Sequence, residues 1–351
     1  MNDYNFWRII CQILPLSFAD AIFTFYTAIQ LYILGAIYIV KEIRRKVSSH
    51  IRKLGLHEPD IPDDISGYVT IVTGGSRGIG LAVSRDLYRR GAIVIVTSSA
   101  GSENELKQIS AEITEGIPKS NGEVVVWPID FRHMNSVCEF VARFNQEYKT
   151  LHILVNNAGV MFVERGYTAD GYEYHYQINY LAHVLLTWLL MPALSRSKNQ
   201  ARVVNVSSST HYPRPAFLDD LQSRYTPYSP FHAYAQSKLC QIMFTYYLSE
   251  WLKTSNKYNR ILINSLHPGV AKTGLYQHVW WVKMFPLIAG LLFRVSFCFF
   301  FIFNFFRFSL IALFFSLFSL SFLSLSLSLS LSLSLSLSHT HTLFFLSLFL
   351  F

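Results

Sequence analysis

Closely spaced cysteines are missing from this chain. Its four, Cys11, Cys138, Cys240 and Cys298, stand far apart with no Cys-x-x-Cys pair. That excludes a disulfide framework and a cysteine zinc site, and fits free thiols in a reducing compartment. Charge is also scarce: charged residues make up 15% of the 351 positions and hydrophobic ones 51%, with a mean hydropathy of +0.28. Such a composition is too apolar for a simple soluble enzyme, so some of the excess belongs in a membrane or in something unusual. A net charge of +8 suggests nucleic acid until its position is read. The run KEIRRKVSSHIRK at 41–53 holds six Lys/Arg against one Glu, so +5 of the +8 is local and an ordinary +3 remains. No nucleic-acid partner is expected, and no repeat of solenoid period occurs.

The apolar excess is placed at the two ends. AIFTFYTAIQLYILGAIYIV, residues 21–40, contains no charge and at ~1.5 Å per residue is long enough to cross a ~30 Å hydrocarbon core. It is expected to be an uncleaved transmembrane anchor after a short segment 1–20, because a cleavable leader has a shorter apolar stretch and a small-residue cleavage site. Only Arg8 is basic before it, whereas Lys41, Arg44, Arg45 and Lys46 follow directly. The positive-inside tendency then puts the linker 41–65 and all that follows on the cytosolic side of an intracellular membrane, the endoplasmic reticulum being the first choice. Anionic headgroups of membrane lipid are a compatible partner for the same basic run.

From residue 66 the pattern changes to alternating strands and helices. GYVTIVTGGSRGIGLAVSRDLYRRGAIVIVTSS reads as a strand, a glycine-rich turn, an amphipathic helix and a second strand. Gly74, Gly78 and Gly80 permit a tight turn and a close approach of backbone N–H groups to a pyrophosphate at the positive end of a helix. EVVVWPID (123–130), LHILVNNAG (151–159), ARVVNVSS (201–208) and RILINSLHPG (260–269) read as further strands, with helical patterns between them. The expected fold is α/β, a Rossmann-type doubly wound parallel sheet.

Five ordered motifs then carry a family likeness: TGGSRGIG (73–80), NNAG (156–159), VNVSS (204–208), YAQSK (234–238) and HPGVAKT (267–273). Over residues 66–294 the chain resembles the short-chain dehydrogenase/reductases. ARVVNVSSSTHY, YSPFHAYAQSKL and the segment near TGLYQHVWW look most like a membrane-associated branch of that family linked to polyprenol and dolichal oxidoreduction, with the retinol dehydrogenases as close relatives. The resemblance implies an NAD(P)-dependent enzyme interconverting an alcohol and a carbonyl. It also implies catalytic roles for Asn179, Ser208, Tyr234 and Lys238, and cofactor contacts from Gly74, Ser76, Arg77, Gly78, Ile79, Gly80, Ser98, Asp130, Asn157, Ala158, Gly159, Tyr234, Lys238, Pro268, Gly269, Val270 and Thr273, with Lys238 holding the nicotinamide ribose. A homodimer is compatible with it.

Residue chemistry agrees. Tyr234 and Lys238 stand four apart and share one helix face. A phenol of ordinary pKa about 10 becomes a usable general acid/base when a neighbouring ammonium favours its phenolate. Ser208 would hydrogen-bond the substrate oxygen, and Asn179 would hold a water connecting the lysine to solvent. An NAD site usually offers a carboxylate near the end of the second strand; here Thr97, Ser98 and Ser99 stand there, and the first acid is Glu103. Arg77 in the glycine loop could pair with a 2′-phosphate, so NADP(H) is favoured, with NAD(H) left open. The long aromatic insertion HYPRPAFLDDLQSRYTPYSPFHA before Tyr234, together with the anchor, points to a lipophilic isoprenoid, retinoid or sterol-like substrate.

The end of the chain departs from the family pattern, which continues past the Pro-Gly motif with further helices and a seventh strand. From about residue 295 it becomes phenylalanine-rich and then LSLSLSLSLSLSLSLSHTHT (323–342). That alternation is far longer than an ordinary strand and gives a helix no face. A CTCTCT repeat translates as Leu-Ser and a CACACA repeat as His-Thr, so 295–351 reads as translated non-coding repeat, with a membrane-embedded tail as the alternative. On that reading the dehydrogenase domain is incomplete, and a catalytically inactive nucleotide-binding or scaffold protein is the competing function.

Overall fold

The computed structural model describes residues 7, 8, 11, 17–31, 64–99, 101–118, 120–211 and 217–268. A helix α1 (17–31) comes first. Then follow β1 (Val69–Val72), α2 (Gly78–Arg89), β2 (Ile93–Ser98), α3 (Glu103–Thr114), β3 (Glu123–Pro128), α4 (Met134–Glu147) and β4 (Ile153–Asn156). A π-helical turn, Tyr176–Leu181, runs directly into α5 (Ala182–Ser195), and β5 (Ala201–Val206), α6 (Pro230–Thr254) and β6 (Ile261–Leu266) complete the order.

All six strands are parallel, in the order β3-β2-β1-β4-β5-β6. The central strands are apolar almost throughout because helices cover both faces, so alternate residues feed two separate cores. Ile71, Ile95, Leu154 and Val203 point to the side built with α4, α5 and α6. Val72, Val94, Val96 and Val155 point to the other, against α2 and α3. Fully burying one such side chain contributes about 1.5–3 kcal/mol. Strand order reverses between β1 and β4, and the carboxyl ends of those two strands therefore open into a crevice.

Helix boundaries follow local chemistry. Ser102 and Glu105 form a reciprocal capping box at α3. At α6, Pro230 occupies the first turn, where its missing N–H costs nothing, and the Ser229 side chain accepts from His232 N. Pro192 lies inside α5 without ending it.

The segment expected to span a membrane behaves in a more particular way. Residues 21–31 belong to α1, and residues 32–40 lie outside the described residues. Ala19, Phe23, Thr27 and Leu31, spaced by four, are buried, while Phe18, Ile22, Phe25 and Ile29 are exposed. One face is therefore packed on protein and the opposite face is apolar and open. Among the described residues, one stretch is long and apolar enough to cross a membrane, Tyr176–Ser195, and more than half of it is buried inside the domain. The basic run 41–53, most of the HPGVAKT motif and everything from residue 269 lie outside the described residues.

Candidate active site

The crevice holds a cavity of about 700 Å³, lined by Gly74, Ser76, Arg77, Gly78 and Ile79 from the β1–α2 turn. Thr97 and Ser98 come from the end of β2, Asp130 from the end of the β3 segment, and Asn157, Ala158 and Gly159 from the end of β4. Ten of the cofactor positions expected from the sequence thus meet in one place. The volume suits a small-molecule or cofactor site.

The turn is shaped by steric necessity. Gly74 has φ +61° and Gly78 φ +58°, the left-handed region that favours glycine. A Cβ on Gly80 would stand 2.3 Å from the Gly74 carbonyl oxygen and 2.6 Å from Asn157 Nδ2, so α2 can begin this close to the strand only without a side chain there. Asn157 Nδ2 donates to the carbonyls of Thr73 (2.9 Å) and Gly74 (3.2 Å) and fixes the turn. These features leave backbone N–H groups at a helix N-terminus with room beside them, which suits a dinucleotide pyrophosphate.

Thr73, absent from the expected site, governs the far wall. Its Oγ1 accepts from the backbone N–H groups of Asn157 (2.8 Å) and Ala158 (2.9 Å), and it lies 3.0 Å from His183 Nε2. His183 Nδ1 lies 3.2 Å from the Asn179 carbonyl. Burial, with a further push from the Lys238 charge, takes His183 down to about 3. The ring is neutral, so Nδ1–H donates to Asn179 and Nε2 accepts the Thr73 hydroxyl.

Asp130 sits on the opposite side. Burial raises its pKa, but bonds from the Arg132 guanidinium and backbone outweigh that and hold the carboxyl below its usual range. Arg132 is thereby committed, whereas Arg77 is exposed and its guanidinium has no partner among the described residues. Glu105, also on the cavity wall, is held by Ser102.

Tyr234 and Lys238 lie one turn apart on α6, both almost fully buried. Lys238 Nζ stands 5.8 Å from the centre of the Tyr234 ring and donates to Val206 O (2.9 Å) and Gln241 Oε1 (3.1 Å). Among the described residues no carboxylate stands beside it, and burial pushes the ammonium down to about 7. A Cβ on Gly159 would be 3.8 Å from that Nζ and 2.9 Å from Asn179 Oδ1. Lys238 and Asn179 therefore lie directly behind the cavity wall at Gly159 and are not part of its lining.

Asn179 belongs to the π-helical turn, not to the regular helix expected. A π-turn withdraws carbonyls from the i+4 ladder, and the Asn179 carbonyl is taken by Gln241 Nε2 (2.7 Å) as well as His183. Its side chain bonds the Val160 backbone in both directions (2.8 and 3.0 Å) and donates to Ser237 Oγ (2.9 Å), which donates to Tyr234 O (2.7 Å). Asn179, Ser237 and Gln241 thus bind the π-turn to the part of α6 that carries Tyr234 and Lys238. Ser208 follows β5, where its Oγ accepts from Thr210 N (3.2 Å) and its carbonyl bonds His211 Nδ1 (2.6 Å). Pro268 is described and exposed at the end of β6. Gly269, Val270 and Thr273 lie outside the described residues.

A family described as short chain dehydrogenase matches residues 68–280. Polyprenol dehydrogenase of Homo sapiens is 39% identical over 285 residues, covering 80% of this chain and 81% of that one. Polyprenol dehydrogenase of Danio rerio is 41% identical over 229 residues, 63% of this chain and 67% of the relative. Retinol dehydrogenase 12 of Homo sapiens is 38% identical, over 61% and 65% of the two chains. A crystal structure of an uncharacterised protein from Mycobacterium Paratuberculosis superposes with a TM-score of 0.51 at 32% identity, covering 62% of this chain and 74% of that one.

Proposed function

Because this chain belongs to the short chain dehydrogenase family, we propose that it is a membrane-associated, NADP(H)-dependent oxidoreductase interconverting a lipophilic alcohol and its carbonyl, a polyprenol or dolichal-type isoprenoid foremost. The observation that carries the reading is the position of buried Lys238, one helical turn from buried Tyr234, directly behind Gly159 of a cavity with a glycine-shaped helix N-terminus at its other side. Polyprenol and retinol dehydrogenases among the relatives support the substrate class.

Gly74, Ser76, Gly78 and Ile79 would hold the pyrophosphate, and Lys238 the nicotinamide ribose. When bound, the nicotinamide supplies or accepts the hydride. Tyr234 exchanges the proton at the substrate oxygen, taking it from an alcohol as phenolate and giving it to a carbonyl as phenol. Nearby, the Lys238 ammonium favours the phenolate electrostatically. Ser208 would hydrogen-bond the same oxygen, and Asn179 keeps the lysine side of the site ordered through Gln241.

NADP(H) is supported by the free Arg77 guanidinium and by the absence of an acid at Thr97–Ser99. Membrane association is supported by the exposed Phe18, Ile22, Phe25 and Ile29 of α1 and by the uncharged run that continues from them to residue 40. The basic run 41–53 supports a cytosolic catalytic domain.

The test is the detergent-solubilised full chain assayed with NADPH and a prenyl aldehyde. Tyr234→Phe should lower kcat by about a thousandfold, as loss of a general acid/base does, with nucleotide affinity within twofold of the parent. Turnover that survives this replacement refutes the assignment.

A further inference from the structure

Helix α1 does more than carry apolar surface. Its buried Thr27 hydroxyl and half-buried Asp20 carboxylate are hydrogen-bonded to the N-cap of the helix that bears Tyr234 and Lys238 and to the residue before that cap. Thr27 Oγ1 donates to the Phe23 carbonyl (2.8 Å), the ordinary back-bond of a helical threonine. Its single proton is then spent, so in the 2.6 Å contact with Ser229 Oγ the serine is the donor. Ser229 is the N-cap of α6 and accepts from His232 N at 3.4 Å. A directed chain therefore runs from His232 N–H through Ser229 and Thr27 to the Phe23 carbonyl, with both side-chain hydroxyls buried.

A second link lies two turns earlier on α1. Asp20 Oδ1 accepts from Tyr228 N (2.7 Å), and its Oδ2 is 3.5 Å from Arg165 Nη1. Tyr228 carries the link inward: its hydroxyl bonds Val163 O (3.1 Å) and Glu173 Oε1 (3.2 Å). Next to Val163 is Phe162, held at φ +57°, with its ring 5.4 Å from Tyr234 and 4.5 Å from Phe231. Phe23 fills the space between the two links, against Phe217 and His232.

The geometry points to α1 as part of the active site, with Thr27 and Asp20 acting as positioning residues that set the first turn of α6 and the Phe162 loop beside Tyr234. Neither touches the cavity; they act through Ser229 and Tyr228. The chain before the dinucleotide-binding domain is then needed for turnover even in detergent, where no membrane has to be reached. The reading rests on the oxidoreductase function proposed above.

The experiment compares the parent with Thr27→Val, Thr27→Ser and Asp20→Leu in detergent. Three readouts are taken: kcat and KM for NADPH-dependent reduction of farnesal, NADPH affinity by fluorescence, and amide hydrogen exchange in the first two turns of α6. Thr27→Val and Asp20→Leu should each lower kcat about five- to tenfold, leave NADPH affinity within twofold, and speed exchange at His232 and its neighbours. Thr27→Ser, which keeps the hydroxyl, should restore both kcat and exchange. Parent-like kcat in Thr27→Val and Asp20→Leu overturns the proposal, as does a parallel loss of kcat and NADPH affinity that Thr27→Ser fails to rescue. If the parent itself turns over no carbonyl, the oxidoreductase reading fails, while unchanged exchange in Thr27→Val would separately overturn the link to α6.

Discussion

Replacing Lys238 by methionine should make the nucleotide-free protein both catalytically inactive and more stable. Burial lowers the ammonium from an ordinary 10.5 to about 7, and at ~1.4 kcal/mol per pH unit that penalises the folded state by about 4 kcal/mol at neutral pH. Methionine removes the penalty but leaves Val206 O and Gln241 Oε1 without their donor, a cost of about 1 kcal/mol each. The net gain is about 2 kcal/mol, or roughly 4–8 °C in Tm for a domain of this size. Between pH 7 and 10.5 the unfolded lysine holds a proton that the folded one has released, so the parent's stability rises with pH by about 1.4 kcal/mol per unit. Buried Cys240 and half-buried Tyr180, both pushed up to about 12 by desolvation, act the other way, because there the folded state holds the extra protons: the thiol cancels the rise above about pH 9, and the two together reverse the sign above about pH 10. Denaturant titrations of parent and Lys238→Met at pH 7, 8 and 9 without nucleotide decide the matter. A flat parent profile, together with a variant less stable than the parent at pH 7, would refute the reasoning.

Three further changes probe other parts of the site. Gly80→Ala forces a methyl against the Gly74 carbonyl and Asn157 and should cost about 1–3 kcal/mol of stability, with NADPH binding weakened at least tenfold in a fluorescence titration. Arg77→Ser should reduce the preference for NADPH over NADH about tenfold, corresponding to ~1.4 kcal/mol, read as the ratio of the two kcat/KM values. His183, neutral in the fold and held near 3 by burial and Lys238, takes up a proton on unfolding below pH 6.5, so stability falls as pH drops through that range. His183→Gln, which can still donate to Asn179 O and accept from Thr73, should flatten the acid limb of a Tm-against-pH curve between pH 6.5 and 4.

The dinucleotide half of the site was readable because its chemistry is local. Gly74, Gly78 and Gly80 lie within one turn, and Tyr234 and Lys238 within one helix, so spacing alone brings them together. Thr73, His183, Ser237 and Gln241 were not readable. Thr73 and Ser237 lie inside the TGGSRGIG and YAQSK motifs and His183 and Gln241 inside none, but the role of all four arises from hydrogen bonds to residues 58 to 110 positions away along the chain, which no motif states. Asn179 was expected in a regular helix and lies in a π-turn, since one extra residue in a helical turn leaves the apolar pattern of that stretch unchanged.

What the sequence by itself determined is the sheet and its crevice: continuous apolar strands alternating with amphipathic helices admit little besides a parallel, doubly covered sheet, and the glycine turn after the first strand marks where a phosphate can approach. Hydropathy also identified residues 21–40 as a segment avoiding water. Only the tertiary structure decided what replaces the water around its first half. Leucine-rich and phenylalanine-rich helices look alike whether lipid or protein covers them, because both are apolar surroundings of similar strength. The buried Phe23 and Thr27, set against Phe217 and Ser229 some two hundred residues later, are a contact that no local pattern encodes.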